Sequence, residues 1–309
     1  MKRLLLALAI LIVLLACLFY FLFPEQGYLL SMALERKAAG LVEKQVQVDE
    51  LTIHYLDGGW GETILLLHGF GADKDNWNRM ARHLTHKFRI VAIDLPGFGM
   101  SSKPENASYA IPDQATRLDR IATAIGLDSF HLAGNSMGGA IAGRYAAEFP
   151  DKVRTLALFN TGGIANCPKK SELWTQLEEG KNSLLLERPE DFDRMLAFVF
   201  VRPPWIPGPV KAHLTHEAIA RRPFNEKVFR QIHGAEWTLE PDLPRIRART
   251  LILWGDQDRL IDVSCTEVLE QGLADSTTAI LKDCGHCPMI ERPHETARLY
   301  LGFLDMASN

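Results

Sequence analysis

The chain has 309 residues, a formal net charge of −4, 47% hydrophobic residues and 23% charged residues. That length suits one large α/β domain with an insertion, and the ordinary composition fits a globular chain. A charge so close to balance argues against a nucleic-acid partner.

The first element is apolar. Leu4 to Phe23 carries no charged residue. About 20 residues rising 1.5 Å each make a helix of roughly 30 Å, the thickness of a bilayer's hydrocarbon core. Lys2 and Arg3 precede it, so positive-inside bias keeps the N-terminus cytoplasmic. The rest then lies across the membrane, in the periplasm if the bilayer is a bacterial inner membrane. A cleaved signal peptide would have a shorter apolar stretch and small residues at its end, whereas this one ends Phe19-Tyr20-Phe21-Leu22-Phe23. Leu14-Leu15-Ala16-Cys17 is similar to a lipobox, but bulky residues follow in place of a polar tether. Residues 1–23 are therefore expected to be a single-pass anchor. Residues 24–40 read as a juxtamembrane helix stopped by Gly40, able to lie on the membrane or to pair two copies. Ala7 and Ala9 are small, yet no G-x-x-x-G supports the homodimer.

Beyond the anchor, Val46–Tyr55 alternates like an entry strand or hairpin before Asp57-Gly58-Gly59. Short continuous apolar runs follow at Thr63–Leu67, Arg89–Ile93, Phe130–Ala133, Val153–Phe159, Thr250–Trp254 and Thr278–Leu281. Each has the composition of a buried parallel strand. Helical stretches separate them at Trp77–Leu84, Pro112–Ile125, Met137–Phe149, Cys265–Gln271 and Pro293–Phe303. This alternation predicts a mostly parallel sheet covered on both faces. Between about Ile164 and Glu240 the rhythm breaks: no buried strand appears, and aromatics and prolines accumulate. That region reads as a helical cap.

Gly134-Asn135-Ser136-Met137-Gly138 joins the strand Phe130–Ala133 to the helix at Met137, the setting a nucleophile elbow requires. The glycines permit the sharp turn, and the helix N-terminus favours developing negative charge. An oxyanion hole needs two convergent N–H groups. Met137 supplies one, and Phe70, in the loop His68-Gly69-Phe70-Gly71 after the strand Thr63–Leu67, is the candidate for the other. The base and its orienting acid should follow in the order Ser, Asp, His. Asp258 comes after the strand Thr250–Trp254, and His286 after Thr278–Leu281. Asp256 is the competing acid. His68, Asp94 and Ser101 read as loop-bracing residues. His213, His216 and His233 fall in the cap and are expected to face solvent. Five cysteines do not describe a disulfide scaffold. Cys284-Gly-His-Cys287 has redox or half-zinc spacing with no second pair to complete a metal site, so the two read as small loop residues beside His286, with a disulfide between them left open if the domain sits in an oxidising compartment.

Together, the 68–71 loop, Asp94-Leu95-Pro96-Gly97-Phe98-Gly99, Gly134–Gly139, Gly255–Asp258 and Gly285-His286 resemble the α/β-hydrolase family from about Val46 onward. With the anchor, the chain looks like membrane-bound bacterial lipases and phospholipases A with a helical lid. The resemblance implies residues 41–163 and 241–309 as the hydrolase core and 164–240 as the lid. It implies a catalytic triad of Ser136, Asp258 and His286, an acyl-enzyme, a lipid or fatty-acyl ester substrate, and neither cofactor nor metal. Asn135 and Met137 also resemble the elbow of C–C bond hydrolases, whose soluble, cytosolic habit the anchor opposes; a small-ester carboxylesterase is the other alternative.

Overall fold

The computed structural model describes residues 2–233 and 237–307. Gly234, Ala235 and Glu236, inside the expected lid, lie outside the described residues, as does the side chain of Cys17 on which the lipobox reading rests. Helix α1 (Lys2–Leu22) has a mean hydropathy of 3.1 and packs into no core. Helix α2 (Pro24–Ala38) follows after one residue, with proline in its first turn, where the missing N–H costs nothing. Hydrogen bonds cross the junction from Phe23 N to Phe19 O (2.8 Å) and from Gly27 N to Phe23 O (2.8 Å). The Tyr20 hydroxyl meets Ser31 Oγ at 2.8 Å, bracing the two helices together. Arg36 then ties α2 to the rest of the protein through a two-pronged pair with Asp75 (2.6 and 2.5 Å). Gly40, at φ +69°, ends the helix in the left-handed region.

Strands β1 (Leu41–Val48) and β2 (Leu51–Gly58) form a hairpin in register Val48↔Leu51, turning at Asp49 with φ +52°. The hairpin starts five residues before the expected Val46, because residues 42–45 of β1 sit exposed at the sheet edge and show no alternation. The other strands are β3 (Thr63–Leu67), β4 (Arg89–Ile93), β5 (Phe130–Asn135), β6 (Val153–Phe159), β7 (Arg249–Gly255) and β8 (Ser276–Leu281). The sheet has eight strands in the order β1-β2-β4-β3-β5-β6-β7-β8; β1, β2 and β4 pair antiparallel and all other neighbours are parallel. Side chains alternate between two apolar layers: Leu65 and Leu67 enter one, Ile64 and Leu66 the other. From β3 the chain moves outward to β4 and then returns to β5 on the opposite side. Such a reversal opens a crevice at the C-terminal ends of the strands.

The expected helix at Trp77–Leu84 is instead a 3₁₀ turn (Lys74–Trp77) and a single α turn, α3 (Asn78–Ala81). Helices α4 (Ile111–Ile125) and α5 (Met137–Glu148) follow as anticipated. The helical insertion between β6 and β7, where the lid was expected, holds α6 (Glu172–Glu178), α7 (Asp191–Val199), α8 (Gly208–Ala220) and α9 (Arg222–His233) among the described residues. Helix α8 packs against both α1 and α2. The chain closes with α10 (Cys265–Gly272), α11 (Pro288–Glu291) and α12 (Pro293–Ala307).

The open question about the cysteines resolves away from the C-x-x-C pair. Cys284 and Cys287 are free, buried thiols built into the apolar layer that includes Tyr300 and Phe303. The disulfide joins Cys167 to Cys265, 98 positions apart in the chain, where the first leg of the lid meets the start of α10 with Cα atoms 4.5 Å apart. Sequence spacing carries no trace of that approach.

Candidate active site

The elbow is built by steric exclusion. A Cβ on Gly134 would lie 2.1 Å from Gly138 O, and one on Gly138 would lie 2.3 Å from Leu67 O. Only hydrogen fits at either place, so α5 starts directly against the ends of β3 and β5. Between them Ser136 is held at φ +56°, ψ −119°, a strained backbone for a residue with a Cβ. Its side chain opens into a cavity of about 360 Å³, within the range that receives small ligands.

Phe70 and Met137 flank the serine. Met137 is the first residue of α5, so its N–H has no acceptor inside the helix. The loop after β3 lies against the serine: a Cβ on Gly69 would be 3.2 Å from Ser136 Cβ. His68 braces this loop from within. Its Nδ1–H donates to Gly69 O (2.7 Å), and its Nε2 accepts from Leu95 N–H (3.0 Å). Burial pushes the His68 imidazole below its usual pKa, in keeping with that neutral tautomer. Asp94 holds the facing loop by accepting from Lys74 N (2.8 Å), Lys74 Nζ (2.9 Å) and Met100 N (2.8 Å). The Ser101 hydroxyl donates to Asp94 O at 2.7 Å.

Across the sheet, Asp258 Oδ2 accepts from His286 Nδ1 at 2.8 Å and from Asn160 Nδ2 at 2.7 Å, while Oδ1 accepts from Leu260 N (2.8 Å) and Ile261 N (3.1 Å). Four donors satisfy the buried carboxylate. The ring of His286 is thereby fixed with Nδ1 protonated, and its Nε2 is buried with no partner. Asp256 sits apart from the imidazole, 3.4 Å from Lys282 Nζ and 3.5 Å from Cys284 N.

Asn135 joins the two halves. Its Nδ2 donates to Phe159 O and to His286 O, both at 3.0 Å, so the residue before Ser136 holds the main chain of His286. Neither Asn135 nor Asn160 was singled out for such a role from sequence, because an amide reveals its function only through its acceptors. His233 is exposed, as expected of a cap histidine. It lines the cavity, stacks on Phe229 (centroids 3.9 Å apart) and donates from Nδ1 to Phe229 O (3.1 Å). His213 is half-buried, and His216 faces solvent. The cavity wall is otherwise largely apolar: Phe70, Leu173, Leu177, Leu184, Ile232 and Leu260 contribute, as does the Cys167–Cys265 disulfide. Among the described residues no three His, Cys, Asp or Glu side chains cluster as metal ligands.

The profile of a family described as alpha/beta hydrolase fold matches residues 62–203. Lipase 3 of Moraxella sp. (strain TA144) is 38% identical over 283 residues, which cover 88% of this chain and 87% of that lipase. Lipase 1 of Psychrobacter immobilis is 39% identical over 252 residues, 79% of this chain and 77% of its own. Among solved structures, a membrane phospholipase A described as a bacterial virulence factor superposes with a TM-score of 0.91 at 50% identity, covering 100% of both chains.

Proposed function

Because the chain belongs to the α/β-hydrolase fold family, we propose that it is a membrane-anchored serine hydrolase that cleaves fatty-acyl esters of lipids, as a phospholipase A, lysophospholipase or lipase. The observation that carries this reading is the Asp258–His286 pair, with one imidazole nitrogen unpartnered, tied through Asn135 to a strained serine at the floor of an apolar cavity.

Ser136 Oγ attacks the ester carbonyl while His286 Nε2 takes its proton. Asp258 holds the tautomer and stabilises the imidazolium. The N–H groups of Phe70 and Met137 receive the negative charge that develops on the carbonyl oxygen. His286 passes the proton to the departing alcohol, and water removes the acyl group from Ser136 by the same route in reverse. The relatives named as lipases and the structural neighbour named as a membrane phospholipase A support the substrate class.

Helix α1 anchors the enzyme across a membrane as a single span, with its N-terminus cytoplasmic and the hydrolase on the far, periplasmic side. Lys2 and Arg3 support that orientation. So does the Cys167–Cys265 disulfide, since such bonds persist where the compartment is oxidising. Leu29, Leu30 and Leu34 are exposed on α2 and support pairing of two copies through α1 and α2. Crosslinking that captures only monomers at native membrane levels would overturn that pairing. For the chemistry, the test is hydrolysis of p-nitrophenyl acyl esters and a phospholipid panel, with labelling by a fluorophosphonate. Ser136→Ala should lose label and roughly 10⁴-fold or more in kcat; retained activity would refute the mechanism.

A further inference from the structure

The loop between α7 and α8 is unusual for a soluble surface. Trp205 is 85% exposed and Val201 37%, and the segment reads Val201-Arg202-Pro203-Pro204-Trp205-Ile206-Pro207. Three prolines fix φ along it, so the indole is presented at small entropic cost. The loop runs straight into α8, the lid helix packed on α1 and α2. It is therefore joined in the chain to a helix that touches the apolar α1. A tryptophan and an arginine in one exposed loop have the chemistry of the headgroup–acyl boundary.

The start of the same loop is fastened to the catalytic histidine. His286 N–H donates to Val199 O at 2.9 Å. The Glu291 carboxylate accepts from three backbone N–H groups: Val201 (3.2 Å) and Arg202 (3.1 Å) on the lid, and Gly285 (3.1 Å) beside the histidine. The two strands of chain are in direct contact, since a Cβ on Gly285 would lie 2.5 Å from Val199 O. A cleft of about 400 Å³, lined by Phe198, Phe200, Val201, Asp258 and Arg259, lies against this segment.

We propose that the loop 200–207 seats on the bilayer that α1 spans, with Trp205 as its anchor, and that Glu291 is a positioning residue that sets His286 according to that seat. This rests on the reading of the chain as a membrane-anchored serine hydrolase. Contact of the loop with lipid orders Val201 and Arg202. Through one carboxylate and one carbonyl, that order fixes the ring that must face Ser136.

The test uses full-chain protein in phosphatidylcholine vesicles. In a Ser136→Ala background, acyl chains carrying bromine should quench the part of the tryptophan emission that Trp205→Phe removes. In the active enzyme, Trp205→Ala should lower hydrolysis of vesicle phospholipid several-fold and leave hydrolysis of p-nitrophenyl butyrate by detergent-solubilised protein, where no bilayer seats the loop, unchanged. Glu291→Gln should lower kcat about tenfold on both substrates with KM unchanged, as expected for a misplaced base, and displace the acidic limb of the kcat–pH profile. If Glu291→Gln does not fold, Val201→Pro removes one of the three N–H donors and should show the same kcat loss. Unquenched Trp205, or equal losses on both substrates in Trp205→Ala, overturns the lipid seat. A wild-type kcat and pH profile in Glu291→Gln overturns the positioning role. Failure of the underlying reading looks different: Ser136→Ala would then keep ester hydrolysis whatever the loop does.

Discussion

Asn135 lies next to Ser136 in the chain, is 2% exposed, and donates two hydrogen bonds from one amide nitrogen, to Phe159 O and His286 O. Asn135→Ala deletes both. Each bond contributes about 0.5–1.5 kcal/mol net, and leaving the carbonyl of His286 without its donor in the interior costs about 1–3 kcal/mol. The sum, roughly 2–6 kcal/mol, should lower Tm by about 4–24 °C, at some 2–4 °C per kcal/mol for a large domain. Asn135→Asp keeps the shape but turns an acceptor-only carboxylate toward the same two carbonyls. It should therefore destabilise more than alanine, which merely vacates the site. Because the amide holds the main chain of His286 against the residue beside Ser136, the proposed mechanism requires kcat to fall about tenfold or more with KM unchanged. Differential scanning calorimetry and ester kinetics on both variants read these quantities. An aspartate variant as stable as the alanine variant, or wild-type kcat in either, would refute the argument.

Replacing both Cys167 and Cys265 by serine opens a loop of 98 positions. The chain-entropy account puts the loss near 4–5 kcal/mol, read as a lower Tm that wild-type protein reproduces under strong reductant. Gly138→Ala should abolish ester hydrolysis, because the new methyl meets Leu67 O at 2.3 Å and His68 O at 2.5 Å, and backbone cannot yield; activity above a few per cent would contradict this. Asp73 caps the 3₁₀ turn by accepting from Asp75 N at 2.9 Å, and burial, with Asp75 and Asp94 nearby, pushes its carboxyl up to about 7. A folded pKa above the unfolded value of about 3.9 means stability complete below that value and lost as pH rises through about 7. Asp73→Asn keeps an acceptor at the cap and should gain Tm relative to wild type between pH 5 and 8, by thermal melts in matched buffers; a pH-independent difference would dismiss the effect.

Most of the parallel strands could be read from the chain because they are buried on both faces; β8, at the far edge of the sheet, corrects the expectation of a buried strand there, since only Leu281 is buried and Ile280 is exposed. Ile64 to Leu67, Ile90 to Ile93 and Leu156 to Phe159 are continuous apolar runs, and nothing polar interrupts them. The edge strand β1 was read late because Glu43, Lys44 and Gln45 face solvent and imitate a loop. The elbow and its flanking loops were legible for a related reason. Glycines forced by backbone contact, and serine, aspartate and histidine at strand ends, are local marks of where a turn must be sharp and where side chains can gather.

What the sequence by itself determined is thus the order of the elements, the apolar segment at the N-terminus, and the serine, histidine and acidic residues that stand at the ends of the strands. Only the tertiary structure decided how they are held. It selected Asp258 over Asp256 as the partner of His286, paired Cys167 with Cys265, and made Asn135, Asn160 and Glu291 into fastenings. The physical reason is common to all of these. Apolar periodicity is a property of neighbouring residues along the chain, whereas a hydrogen bond or a disulfide is a property of two groups that approach only after the chain has folded.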